Sequence, residues 1–482
     1  MGQEITRTHF KPADFQRFYS HLSDETQALA RDAVAGRFAD PRFVAGFELE
    51  AWLLDHTGFP NPVNAALLER LADPLVVPEL SRFNIELNGP PEPIRPGALI
   101  ALETGLRRTW QRCQDTAHGM DTVLAMIGIL PNIRLSDLTL ANMSAMKRYS
   151  VLNEQILAQR KGAPIHIHIE GEERLERTLP DVMLEAATTS FQVHLQVPFA
   201  QAARYYNASL IACGPLLAVA GNSPVLFGKR LWRETRIPLF EQSVEAGGYA
   251  GLADANVRRV GFGLGYAQDS LIGLFRENLD LYPVLLPMPL REPAERYPHV
   301  RLHNGAIWRW VRPILGFDAA GQAHVRLEQR ILPSGPSVLD MIANTACYFG
   351  LSRALADATD LPETRLPFAV ARANFYQAAR VGLEARLLWL DGESYPARDF
   401  WLRIGLPLAE QGLRDFGLNG DEIERYLGVV EARVRSGQTG AEWQLAHLRK
   451  QVGVASDAAM AAMLADYLEN QRSGAPVHEW SI

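Results

Sequence analysis

"FVAGFELEAWLLD", residues 43–55, is the stretch whose reading decides the fold. Every second position from Phe43 to Leu53 is apolar: Phe43, Ala45, Phe47, Leu49, Ala51 and Leu53. The other parity carries Val44, Gly46, Glu48, Glu50 and Trp52. Strand side chains alternate between two faces, so the segment reads as a strand with one apolar face and two neighbouring carboxylates on the other. Carboxylates gathered in one concave site repel unless cations neutralise them.

The same parity recurs elsewhere. In "FNIELN" (83–88), Phe83, Ile85 and Leu87 oppose Asn84, Glu86 and Asn88. In "FQVHLQV" (191–197), four apolar residues oppose Gln192, His194 and Gln196. In "VRLEQRI" (325–331), Val325, Leu327 and Ile331 share a face, Gln329 is the exception, and Arg326, Glu328 and Arg330 point the other way. A solvated sheet face mixes Lys, Thr and Ser; this set contains no Lys and is made of Glu, Gln, His, Arg and Asn. Glu48, Glu50, Glu86 and Glu328 are hard oxygen donors suited to Mg²⁺. Arg326 and Arg330 suit phosphate or carboxylate. The polar face reads as a bed for Mg²⁺ and a nucleotide polyphosphate.

Strands with one apolar face, separated by helices of varied length, predict an α+β fold with an antiparallel or mixed sheet covered on one side. A doubly wound parallel sheet would need strands apolar on both faces. Around these strands the pattern predicts helices over residues 13–37, 96–119, 146–161, about 200–220 and 337–355, with a short apolar strand over 126–131. Residues 240–300 read as irregular, and the chain after about 365 as almost wholly helical.

The chain has 482 residues, 47% hydrophobic and 21% charged, an ordinary globular composition. A net charge of −7 argues against nucleic-acid binding. Cys113, Cys213 and Cys347 form no CxxC and no disulfide framework, which points to a reducing compartment and a cytoplasmic location. The start, MGQEITRTHF, shows no apolar signal region; Gly2 and Thr6 match the loose N-myristoylation pattern, which arises often by chance. The longest uncharged stretch, 205–228, contains Asn207, Pro215, Asn222 and Pro224 and reads as a buried helix, not a membrane span. There is no Walker A motif, and "GFGLGY" from Gly261 is not a full GxGxxG. His166 and His168 in "HIHIE" read as solvated. Lys229, Arg230, Arg233 and Arg236 read as either a solvated basic loop or an anion clamp. Trp308 and Trp310 read as strand aromatics leading into the Glu328 strand.

Six strings occur in order: "GFELEAWLLD" (46–55), "FNIELNGPPEP" (83–93), "SFQVHLQVP" (190–198), "GNSPVLFGKRLWRETR" (221–236), "HNGAIWRWVRP" (303–313) and "RLEQRILPSGPSVLDMIAN" (326–344). Together they resemble the glutamate–cysteine ligase family of carboxylate–amine ligases, within the glutamine synthetase-like superfold. The resemblance implies a curved, mostly antiparallel sheet with the active site on its concave face and helices on the other. The resemblance runs from about residue 43 to about 350; with the helical pattern that follows, the chain reads as a catalytic domain over residues 1–360 and a helical C-terminal region over 361–482 packed on it. The resemblance implies a reaction in which ATP activates the γ-carboxylate of L-glutamate as an acyl phosphate and the amine of L-cysteine displaces phosphate, the first step of glutathione synthesis.

Carried over by motif, Glu48, Glu50, Glu86, His194 and Glu328 are the expected ligands of Mg²⁺ or Mn²⁺. Gln192, Gln196 and Arg326 are expected at the nucleotide. Arg330 is expected on the transferred phosphate, and Arg236 near glutamate or that phosphate. "LWRET" before Arg236 departs from related members, which have small residues and Tyr there. Two further readings stay open: a ligase joining glutamate to a different amine or a guanidino kinase-like phosphotransferase, and a non-catalytic binder. No nucleic-acid or membrane partner is expected.

Overall fold

The computed structural model of the chain describes residue 5 and residues 7–38, 42–246, 257–451, 453 and 455–482. Gly2 and Thr6 of the N-terminal pattern lie outside the described residues.

Among the described residues, the opening stretch forms β1 (Val44–Leu54), the centre of an eight-stranded antiparallel sheet. With β2 (Val76–Pro78), β3 (Asn84–Asn88), β4 (Phe191–Val197), β5 (Val311–Phe317) and β6 (Ala323–Gln329), the order is β5-β6-β4-β1-β3-β2. Two short strands, Glu92–Pro93 and Val123–Ala125, also pair with β1. The sheet curls into an antiparallel half-barrel. Register places Glu50 opposite Glu86, Glu48 opposite Gln192, and Glu328 opposite both His194 and Arg312.

The apolar parity of each strand enters one core. Helices α1 (Ala202–Ala220) and α2 (Val338–Asp357) pack against each other and against the sheet. Every residue of α1 except Arg204 is buried, the pattern of a helix enclosed on all sides. The parity exception, Gln329, faces α1 and donates to the Ser209 carbonyl at 3.4 Å.

Three expectations need correction. The strand expected over 126–131 lies at Val123–Ala125; beyond it the Ile127 carbonyl accepts from Trp52 Nε1 and Thr189 Oγ1, so that stretch is buried without a ladder. The stretch expected to be irregular over 240–300 contains helices Ile272–Leu281 and Pro298–Gly305, with residues 247–256 outside the described set. After 365 the chain is helical except for a hairpin, Arg386–Leu388 with Ser394–Pro396, turning through Gly392 at φ 85°.

The C-terminal helices buttress the back of the sheet. From Gly420–Ser436, Arg433 reaches Asp340 Oδ1 at 2.7 Å and Asn344 Oδ1 at 2.6 Å. From Ser456–Ser473, Gln471 Nε2 donates to the Met126 and Pro336 carbonyls at 2.8 and 2.7 Å. The segment they brace carries Ser334, whose Oγ donates to the Glu50 carbonyl at 2.8 Å, so the helices hold β1 from behind.

Candidate functional site

The polar parities of β1, β3, β4 and β6 meet on the inner face of the sheet and line a cavity of about 460 Å³. Glu50, Glu79 and Glu86 stand on the β1–β3–β2 side, and Arg301, Arg312 and Arg326 on the β5–β6 side. Phe240 and Trp308 belong to its apolar wall.

Two sets of side chains can each hold a cation. Glu48, His194 and Glu328 bring ligand atoms within 4.8 Å of one another, as do Glu50, Glu79 and Glu86. Both satisfy the oxygen preference of Mg²⁺ or Mn²⁺, the first with one imidazole added. His194 Nε2 is buried without a hydrogen-bond partner, 3.5 Å from Glu48 and 3.6 Å from Glu328. Burial, aided by the Arg326 charge, lowers the His194 pKa to about 4, so the imidazole is neutral, the form that ligates. Arg326 Nε donates to His194 Nδ1 at 3.1 Å. Ligation through Nε2 requires the proton on Nδ1, so that contact must give way when a cation binds.

Glu79 was missed by the sequence reading. Strand β2 is three residues long, too short for alternation to show, and Glu79 lies just beyond it. The usable signal is tertiary: Val77 pairs with Glu86, and Glu79 follows Val77 by two positions. Arg312 was likewise not singled out as a site residue. Its Nε and Nη2 hold both Glu328 oxygens at 2.8 and 3.0 Å, and Arg330 Nη1 adds a bond at 2.8 Å. Burial opposes the charge of Glu328, yet Arg312 and Arg330 hold its carboxyl well below the usual range.

The acidic set behaves oppositely. Burial, reinforced by the charge of Glu79, raises the Glu50 pKa to about 7. Burial and the charges of Glu48 and Glu79 push Glu86 well above its ordinary value. Two bonds hold Glu50 in place: Oε2 accepts from the Ser190 amide at 2.6 Å and Oε1 from Gln192 Nε2 at 3.0 Å. Gln192 Oε1 in turn accepts from Arg330, so Glu50, Gln192, Arg330 and Glu328 form one chain of contacts running from the cavity lining to the buried Glu328.

A pH-dependent response to cations follows. A carboxyl with a raised folded pKa contributes stability below its ordinary value of 4.5, and that stability is lost as pH rises through about 7. A bound cation offsets the repulsion only once the proton has left. Mg²⁺ or Mn²⁺ added to metal-free protein is therefore expected to raise Tm by several degrees near pH ~8 and by little near pH ~5.5. Equal gains at both pH values, or none, would remove this set as a cation site.

The other expected residues are placed differently. Gln192, Arg326 and Arg330 line the cavity. Gln196 is buried opposite Arg326 and, like His194 and Glu328, is not among the residues that line the cavity. Arg236 is 2% exposed and is also not a lining residue. Its Nε donates to Glu234 at 3.1 Å, and its other nitrogens donate to the Arg330 and Ile331 carbonyls. Arg236 thus holds the backbone that presents Arg330. The basic loop is ion-paired: Lys229 and Arg230 with Glu173, and Arg233 with Glu172 and Glu442. His166 and His168 stand exposed on a separate hairpin. All three cysteines are buried thiols. Among the described residues no helix is long and apolar enough to cross a membrane.

The family model described as glutamate–cysteine ligase family 2 matches residues 44–463. No curated protein matches the sequence. The fold is similar to that of glutamate–cysteine ligase from Francisella tularensis, solved in complex with AMP, at TM-score 0.56 and 11% identity over 90% of each chain. It is similar also to a bifunctional glutathione synthetase from Pasteurella multocida, at TM-score 0.53 and 13% identity, over 92% of this chain and 55% of that one.

Proposed function

Because this chain belongs to glutamate–cysteine ligase family 2, we propose that it is an ATP-dependent ligase joining the γ-carboxylate of L-glutamate to the amine of L-cysteine. The observation that carries the reading is two sets of side chains able to hold a cation, linked through Gln192 and Arg330 beside one arginine-lined cavity. The AMP complex of the Francisella protein supports a nucleotide in this fold. In this reading residues 1–360 carry the chemistry and 361–482 brace it.

The chemistry asks for positioning and charge control more than for a protein nucleophile. A γ-carboxylate oxygen of glutamate attacks the terminal phosphorus of ATP and ADP leaves. The acceptor nitrogen then attacks the acyl carbon and phosphate leaves. Glu48, His194 and Glu328 would hold one divalent cation, and Glu50, Glu79 and Glu86 another; such ions supply charge neutralisation on phosphate oxygens. Arg330, held in line by Gln192 and Glu328, faces the transferred phosphoryl group. Arg312 and Arg326 face the nucleotide phosphates from β5 and β6. Phe240 and Trp308 exclude water, which would otherwise hydrolyse the acyl phosphate.

The test is release of ADP and phosphate with Mg²⁺, glutamate and a panel of amines, with the product identified by mass spectrometry. Turnover requiring both glutamate and cysteine and yielding γ-glutamylcysteine is the expected result. Glutamate-dependent turnover with another amine would replace the product but keep the chemistry. Turnover indifferent to glutamate would overturn the reading.

A further inference from the structure

One part of the cavity takes no part in cation or phosphate chemistry and carries charges of both signs. Arg148 and Tyr149 line it from the helix Lys147–Gln159, Glu185 from the short helix Met183–Ala187, and Leu80, Leu152 and Val182 lie between them. This wall is built, not incidental. Arg148 Nη2 donates to Tyr149 Oη at 2.9 Å, and its guanidinium lies 4.6 Å from the Tyr149 ring centre. Tyr149 Oη reaches the Pro78 carbonyl at 3.4 Å, beside Glu79. Four residues along the same helix, Asn153 Oδ1 accepts from the Val182 amide at 3.1 Å, three positions before Glu185. One helix therefore ties Glu79 on one side to Glu185 on the other and sets Arg148 between them.

Resting on the ligase reading above, we propose that Arg148 and Glu185 select the acceptor as an α-amino acid, Arg148 taking its α-carboxylate and Glu185 its ammonium group. An acceptor nitrogen must reach the acyl carbon, so the group that receives it must stand near the reaction centre. Glu185 does: it lines the same cavity as Glu50, Glu79 and Arg330. In an α-amino acid the carboxylate and the nitrogen share one carbon, so its cationic partner must line the same cavity as the ammonium partner, as Arg148 does. Arginine's planar fork suits a carboxylate, and the Tyr149 contacts set its plane before substrate arrives. The apolar residues between leave room for a side chain without charge and supply no partner for a charged one.

The proposal is tested with two matched acceptor pairs, cysteine against cysteamine and alanine against ethylamine, each at saturating ATP and glutamate. The native enzyme is expected to favour the amino acid over its decarboxylated partner by roughly 10²-fold or more in kcat/KM, because the amine lacks the carboxylate that takes the guanidinium's paired bonds. Arg148→Met is expected to collapse that ratio to within about threefold, chiefly through KM of the amino acid, and Arg148→Lys to restore part of it. Glu185→Gln is expected to raise KM for both members of a pair alike, since both carry the ammonium group. Absence of the native preference would overturn the assignment. So would Arg148→Met slowing both members equally, or raising KM for glutamate in place of the acceptor. Turnover that needs no glutamate would instead bring down the ligase reading, and this subsite with it.

Discussion

Glu50→Gln is expected to lower kcat by roughly 10³-fold or more, the several kcal/mol that a correctly held cation supplies to phosphoryl transfer. The substitution keeps the shape of the side chain and removes the charge that would hold a cation together with Glu79 and Glu86. It also disturbs one contact. The introduced carboxamide can turn its oxygen to the Ser190 amide, but its NH₂ then faces Gln192 Nε2. Gln192 cannot flip in response without losing its bond to Arg330. Folding should survive. With burial already raising the Glu50 pKa to about 7, a neutral side chain relieves repulsion in the metal-free protein. Near pH ~8, metal-free Glu50→Gln is therefore expected to melt no lower than the native protein and to lose most of its gain on adding Mg²⁺. Near-native turnover, or an unchanged response to Mg²⁺, would sink the assignment of Glu50.

Arg330→Ala is expected to cost roughly 10²- to 10³-fold in kcat, the usual loss when a positioned donor to developing charge is removed. Its effect on stability is separable. Arg330 Nη1 bonds Glu328 at 2.8 Å and also Gln192, but Arg312 holds both Glu328 oxygens independently. The buried carboxylate therefore keeps one bidentate partner, and the loss is smaller than for a lone buried pair. Arg330→Lys separates the two roles: it restores charge beside Glu328 but not the planar fork, so stability should recover more than kcat. A fall in Tm with unchanged turnover would return Arg330 to a structural role.

Both experiments act on one chain of contacts, and that chain explains why buried like charges persist here. Glu328 is ionised because two arginines clamp it, whereas Glu50 and Glu86 have raised pKa values because they are buried with carboxylates as near neighbours. One sheet face thus carries a carboxylate held ionised by two arginines and a set whose mutual repulsion a cation would relieve. Arg236, behind the face, contributes by holding the Arg330 and Ile331 carbonyls.

By itself the sequence determined four strands of the sheet and the side on which their residues lie. Two-residue alternation is a local property, so Glu48, Glu50, Glu86, His194 and Glu328 could be placed on a polar face from 43–55, 83–88, 191–197 and 325–331 alone. The tertiary structure decided everything that depends on partners. Arg312 is a clamp only because strand register sets it opposite Glu328, and Glu79 joins Glu50 and Glu86 from just beyond a strand too short to show a period. Arg236, Lys229, Arg230 and Arg233 carry the charge of anion binders in sequence, yet carboxylates and backbone carbonyls from distant segments occupy them. Arg148 and Glu185 belong to different helices with no shared spacing, and tertiary contacts that include the bonds of Tyr149 and Asn153 bring them to one wall. Alternation follows from backbone geometry within a few residues. The pairing of buried charges is set by which segments the hydrophobic core presses together, and no short window of sequence contains it.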